Sequence, residues 1–270
     1  MKKTIIQIYE IQKPKEAEAL VTMGIDHLGS VLADTDKRKN ATIRKTVQVI
    51  REAGVKSGLI PLFKDPVRIF SALEYYEPDF IHLCDTLSPF PDQQQTVIKE
   101  FDQFFSLQID IKDRFPQIDI MRSLSVPRPG RPDARDIEKN ILRFVEQFAP
   151  FSDYFLIDTL LDGDQQPVEG FVGITGEVCD WTIAATIIAS CPIPVIMAGG
   201  LSGENVFDAI TATKPAGVDS CTKTNAQDKN GHPIRFKKDM NKVEQFVAET
   251  RRADSFLQDK DVIQVDEKRV

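Results

Sequence analysis

Positive charge is in deficit along this chain. Lys and Arg number 34 against 41 Asp and Glu, a formal net charge of −7. That balance argues against a nucleic-acid surface, which is basic, although local basic groups can still hold an anion. Cysteine is scarce and unpatterned. Cys84, Cys179, Cys191 and Cys221 form no CxxC pair and no zinc spacing, so neither a metal site nor a disulfide framework is expected. The simplest compartment is then a reducing one, the cytoplasm. No run approaches the ~18 consecutive apolar residues of a membrane span. Lys2 and Lys3 precede apolar residues, but Gln7, Tyr9 and Glu10 interrupt that run too early for a signal peptide.

What is present is ordinary for a globular α/β protein: 41% hydrophobic and 28% charged residues over 270 positions. Short β-branched or apolar runs fall at 4–10, 27–33, 57–62, 79–85, 118–126, 154–161, 194–198 and 217–220. Helical patterns separate them, several opened by Pro14 or Pro66 and closed by Gly24 or Gly54. Eight such alternations without a composition break predict a single-domain (β/α)₈ TIM barrel over residues 1–250. An open doubly wound sheet shares the local pattern, but it more often carries phosphate-binding glycines after its first strand. Glu10, Ile11 and Gln12 stand there instead. Residues 251–270 are strongly charged and read as a C-terminal tail, with a packed strand at 262–265 as the alternative.

The segment 194–220 organises the rest. A buried strand ends in Gly199 and Gly200, a helix follows, and a short strand closes the unit at Ser220. In a (β/α)₈ barrel the loops after the last two strands commonly bind phosphate through backbone N–H groups. A tight turn without a ligand is the plainer reading.

Three stretches carry a resemblance. FLIDT at 155–159, GITGEVCDW at 173–181, and PVIMAGGLSGENVFDAI followed by GVDS at 194–220 are similar, in order and spacing, to phosphoribosylanthranilate isomerases. The resemblance implies a (β/α)₈ enzyme of tryptophan biosynthesis. It implies an Amadori rearrangement, an aldose-to-ketose isomerisation of a phosphorylated sugar, with no metal or organic cofactor. It also implies a phosphorylated small molecule as the partner, neither nucleic acid nor membrane, and a homodimer as a possible assembly. Asp158 matches the general acid that protonates the ribose ring oxygen. Desolvation at a strand end would raise its pKa and favour the acid form, whereas a plain loop-capping aspartate is the alternative. Gly176, Gly199, Gly200, Ser220, Cys221 and Thr222 match the phosphate-binding loops. Arg38 matches the arginine that binds the anthranilate carboxylate. His82 and Arg122 lie where substrate contacts are expected, with Arg122 facing the barrel mouth to meet a ligand anion or Asp158.

Strand one departs from that family. The pattern lysine, apolar, cysteine, glycine, apolar, threonine becomes Gln7, Ile8, Tyr9, Glu10, Ile11, Gln12. Tyr9 stands where a thiolate removes the C2 proton, and tyrosine, with a pKa of ~10, is a poor base at neutral pH. Glu10 is the chemically better substitute if it faces the mouth, but strand alternation puts Tyr9 and Glu10 on opposite faces. Residues 222–239 replace a short turn and read either as a lid or as a surface loop. Two other functions stay open: a lyase or aldolase using a Schiff-base lysine, with Lys223 as candidate, and a non-catalytic binder of a phosphorylated ligand.

Overall fold

The computed structural model describes residues 3–33, 39–87, 94–161 and 165–267. Eight parallel strands close into a barrel: β1 (Ile5–Ile8), β2 (His27–Leu32), β3 (Lys56–Pro61), β4 (Phe80–Leu83), β5 (Asp119–Pro127), β6 (Tyr154–Leu160), β7 (Val195–Met197) and β8 (Gly217–Ser220). The ring closes where Gln7 of β1 lies in register with Asp219 of β8 and His27 of β2. Between strands run α1 (Pro14–Leu20), α2 (Ala41–Glu52), α3 (Pro66–Tyr76), α4 (Gln94–Arg114), α5 (Ala134–Phe148), α6 (Trp181–Ser190) and α7 (Val206–Thr213). Their starts follow the sequence. Asn40 caps α2 by accepting from the Thr42 and Ile43 N–H groups, and Asp180 caps α6 in the same way.

Alternation along each strand sorts side chains between the barrel interior and the helix layer. Ile6 and Ile8 pack outward, while Gln7 and Tyr9 point in. Gln7 donates to Asp219 at 3.2 Å, and its amide oxygen lies 3.0 Å from His27 Nδ1. The Tyr9 ring stacks on His82, with centroids 5.3 Å apart, and its hydroxyl reaches Met121 Sδ. Gly29 of β2 makes this possible, because a Cβ there would overlap the Tyr9 ring.

Two segments differ from expectation. Residues 222–239 fold into a short helical turn (Thr222–Thr224) and a hairpin of β9 (Asn225–Gln227) and β10 (Pro233–Lys238). Residues 251–267 of the charged segment lie inside α8 (Met240–Glu267), and positions 262–265 are helical. The reason is a buried stripe at Val243, Phe246, Thr250 and Ala253, at helical spacing. Polar groups pin the same helix to the barrel's first strand. Arg251 donates to the Thr4 carbonyl at 2.6 Å and pairs with Asp26 at 3.2 Å, and Thr4 donates to Asp254.

Candidate active site

The C-terminal ends of β6, β7 and β8 carry loops that touch through backbone. Gly199 and Gly200 have φ of 82° and 61°. A Cβ on Gly199 would overlap Thr159 Oγ1, and one on Gly200 would lie 2.7 Å from the Gly176 carbonyl oxygen. Only glycine permits both the left-handed conformation and this approach. Beside them opens a cavity of about 790 Å³, whose walls include Arg128, Gly176, Gly200, Ser202, Asn205 and Lys223. An adjoining cavity of about 510 Å³ shares Gly176, Ser202 and Lys223 and is walled on the far side by Thr222, the β9–β10 hairpin and Lys242. Left-handed glycines that bring successive amides to one concave wall suit an anion.

The anticipated phosphate residues divide in this geometry. Gly176 and Gly200 line the larger cavity and Thr222 the smaller one. The Ser220 hydroxyl is turned away and donates to the Leu201 carbonyl at 2.7 Å. The Cys221 carbonyl accepts from Lys238 Nζ at 2.8 Å, and the Thr222 hydroxyl points to the Ile174 carbonyl. Lys223, anticipated only as a Schiff-base candidate, is exposed and lines both cavities.

Asp158 projects inward from β6. One carboxylate oxygen accepts the Thr159 N–H at 2.7 Å, and Gly173 lies so close to the other that a Cβ there would overlap it. Gly173 belongs to the connection between β6 and α6, which crosses to the end of β4. There the Val172 N–H donates to the Cys84 carbonyl at 2.9 Å, the Thr86 N–H donates to the Gly170 carbonyl at 3.0 Å, and Asp85 bridges Phe171. Enclosed in this way, the Asp158 carboxyl is raised by burial to about 6, against the opposing Thr159 hydrogen bond. Asp219, not anticipated from sequence, is a second inward carboxyl. Burial and then the charge of Asp158 push it up to about 8. The signal for it was available: GVDS places its aspartate on the same strand face as Cys221.

Five expectations need correction or fall elsewhere. Arg122 does not face the mouth. It points outward from β5 into the helix layer, pairs with Asp85 at 2.9 Å, and lies over the rings of Phe104 and Phe148 at 4.6 and 5.3 Å. Its partner is therefore Asp85, not Asp158 or a ligand. Glu10 does not face the mouth either. With Tyr9 inward, Glu10 turns outward to the hairpin, where its carboxylate accepts from Arg235 Nε at 2.7 Å and Asn225 Nδ2 at 2.9 Å. Burial pushes its pKa up, but Arg235, Asn225 and Lys238 outweigh that and hold it below the ordinary value, so Glu10 is a poor base. His82 is an interior residue, 2.7 Å from Ser123 Oγ, and burial followed by the Arg122 charge lowers it to about 3. Tyr9 is inward but closed in, and burial and then Asp219 push its phenol well above the usual value. Arg38 lies outside the described residues.

A family model described as N-(5'phosphoribosyl)anthranilate (PRA) isomerase matches residues 136–249. N-(5'-phosphoribosyl)anthranilate isomerase 1 of Methanosarcina mazei is 26% identical over 94% of this chain and 98% of its own length. The chain is thus similar to phosphoribosylanthranilate isomerases over most of its length. A second isomerase of the same organism is 36% identical, over 52% of each chain. The barrel superposes on the isomerase of Pyrococcus furiosus with a TM-score of 0.64 at 21% identity, covering 92% of this chain and 99% of that one. A phosphoribosylanthranilate isomerase complexed with reduced 1-(o-carboxyphenylamino)-1-deoxyribulose 5-phosphate gives 0.62 at 19% identity, covering 92% and 98%. Two of the four departures from the strand-one pattern of phosphoribosylanthranilate isomerases are adjacent. The cysteine is Tyr9, and the glycine after it is Glu10, which still adopts a left-handed φ of 67°.

Proposed function

We propose that this chain isomerises N-(5'-phosphoribosyl)anthranilate by an acid–base Amadori rearrangement, with Asp158 as the acid. The observation that supports this most is Asp158 itself: an inward carboxyl at a barrel strand's end, raised to about 6, beside glycine loops fit for a phosphate. In this reading Gly176, Gly199 and Gly200 hold the phosphate, and Lys223 faces its charge. Asp158 then protonates the ring oxygen as the C1–O bond opens and the anthranilate nitrogen lone pair forms a C1–N double bond, giving the iminium.

Removal of the C2 proton passes to Cys221. Its strand runs beside β1, Ile8 is in register with Ser220, and the Tyr9 N–H points to the Ser220 carbonyl. A thiol one step beyond Ser220 therefore lies next to Tyr9, where the family has its cysteine. Burial pushes this thiol well up and favours its protonated form, and the Lys238 ammonium is the group that favours the thiolate a base needs. The C2 proton passes to the base, the C2–H electron pair forms the C1–C2 double bond as the iminium pair returns to nitrogen, and the enolamine tautomerises to the ketose. C2 is oxidised and C1 reduced within one molecule.

The lyase alternative finds Lys223 exposed on the rim, and no observation favours it. All four cysteines are free thiols, which supports a reducing compartment, the cytoplasm. No helix among the described residues is long and apolar enough to cross a membrane. Loss of phosphoribosylanthranilate fluorescence on adding the protein tests the proposal. Asp158→Asn should abolish that loss, and an unchanged rate in this variant would refute Asp158 as the acid.

A further inference from the structure

Buried hydroxyls in a folded interior are nearly always hydrogen-bonded, and each exception asks for a reason. Ser125 on β5 is 1% exposed, and its Oγ has no partner. It is an inward residue, because Met121 and Ser123 on the same face of β5 reach Tyr9 and His82 across the barrel, while Arg122 between them points out. Ser125 is also the register partner of Asp158. One strand away on β4, His82 Nδ1 is a second buried polar atom without a partner. These two unmet polar atoms give the fold nothing by themselves, and alanine at 125 would remove one of them at no loss of bonding.

The charges nearby say what such a hydroxyl is for. The cations Arg128, Arg131 and Lys223 stand around the loop cavity, while the interior beside Ser125 holds the carboxyls Asp158 and Asp219 and no cationic side chain of β5, since Arg122 is turned away. An anion finds no countercharge there. A neutral hydroxylated group needs none.

We propose that Ser125 is a substrate-binding residue whose hydroxyl meets a ribose hydroxyl beside Asp158. This rests on the reading of Asp158 as the acid, since it places the sugar ring at that carboxyl. With the phosphate in the loop cavity and the sugar turned inward, Ser125 fixes which ring atom faces the acid.

The test is Ser125→Ala, with two ligands and the unligated melting temperature. The probes are reduced 1-(o-carboxyphenylamino)-1-deoxyribulose 5-phosphate and inorganic phosphate. The variant should melt at or above the wild-type temperature without ligand, because an unmet hydroxyl has been removed. Its Kd for the reduced analogue should rise about tenfold or more, since a ligand hydroxyl is then left unpaired, while its Kd for inorganic phosphate stays the same. Unchanged analogue affinity would overturn the assignment. A lower melting temperature with both ligands weakened alike would also overturn it, by showing a structural role. Wild-type protein that fails to bind the analogue would instead refute the proposed function, and Ser125's role with it.

Discussion

The two sides of the barrel mouth contrast sharply. From β6 to β8 the loops close on one another through glycine backbones and surround an acid. On the β1 side, the position after the strand is filled by a phenol inside and a salt-bridged carboxylate outside. The first side has the features of a reaction centre, and the second those of packing and support. Backbone-mediated recognition tolerates little change, because no side chain can replace a left-handed glycine pressed against a carbonyl. A lone side chain such as a thiol can be moved to the neighbouring strand if the same space stays within reach.

Substitutions on each side can break or sharpen that contrast. The largest effect is expected for Cys221→Ala, which should lower kcat by roughly 10²-fold or more if the thiol is the base. Cys84→Ala should change it by less than about threefold, and equal losses in the two variants would remove Cys221 from the role.

Next is the pH dependence of stability. Asp219 in the folded chain titrates at about 8, far above a free aspartate. Its favourable contribution is complete at low pH and disappears as pH rises through about 8. Asp158 adds a similar loss through about 6. The melting temperature should therefore fall from about pH 4 to about pH 8, most steeply below pH 6 where both carboxyls contribute. Asp219→Asn should flatten the part of that fall above about pH 6 while matching wild type near pH 4, and an identical profile would mean that Asp219 is not a buried acid.

Glu10→Gln should have the smallest effect on turnover, within a few-fold, because the carboxylate faces the hairpin. It should instead speed proteolytic cutting of residues 227–233. A loss comparable to that of Asp158→Asn would restore Glu10 as a catalytic group.

The barrel was legible because eight apolar runs and their helix starts stand plainly in the sequence, and Asp158 was legible from its place at the end of FLI. What escaped was orientation. A charge within a strand asks for a partner, and for Arg122 the sequence alone points to a ligand. Its parity against Met121, Ser123 and Ser125 places it among the helices, where Asp85 and two phenylalanine rings meet the guanidinium. The β9–β10 hairpin was marked by Asn230–Gly231, a turn pair between short strand-like segments, but nothing local tells that Glu10, more than two hundred positions earlier, anchors it. The C-terminal helix was hidden by its charge, although Val243, Phe246, Thr250 and Ala253 already had helical spacing.

The pairing of Tyr9 with the bare backbone at Gly29 imposes an order of events. A chain passing between this version of the first strand and one with a thiol cannot gain a side chain at 29 until the aromatic ring has gone. Losing the ring first leaves a hole that position 29 must then fill. Exchange of cysteine and tyrosine here is thus a two-residue transaction across neighbouring strands, with an unfavourable intermediate whichever way it runs.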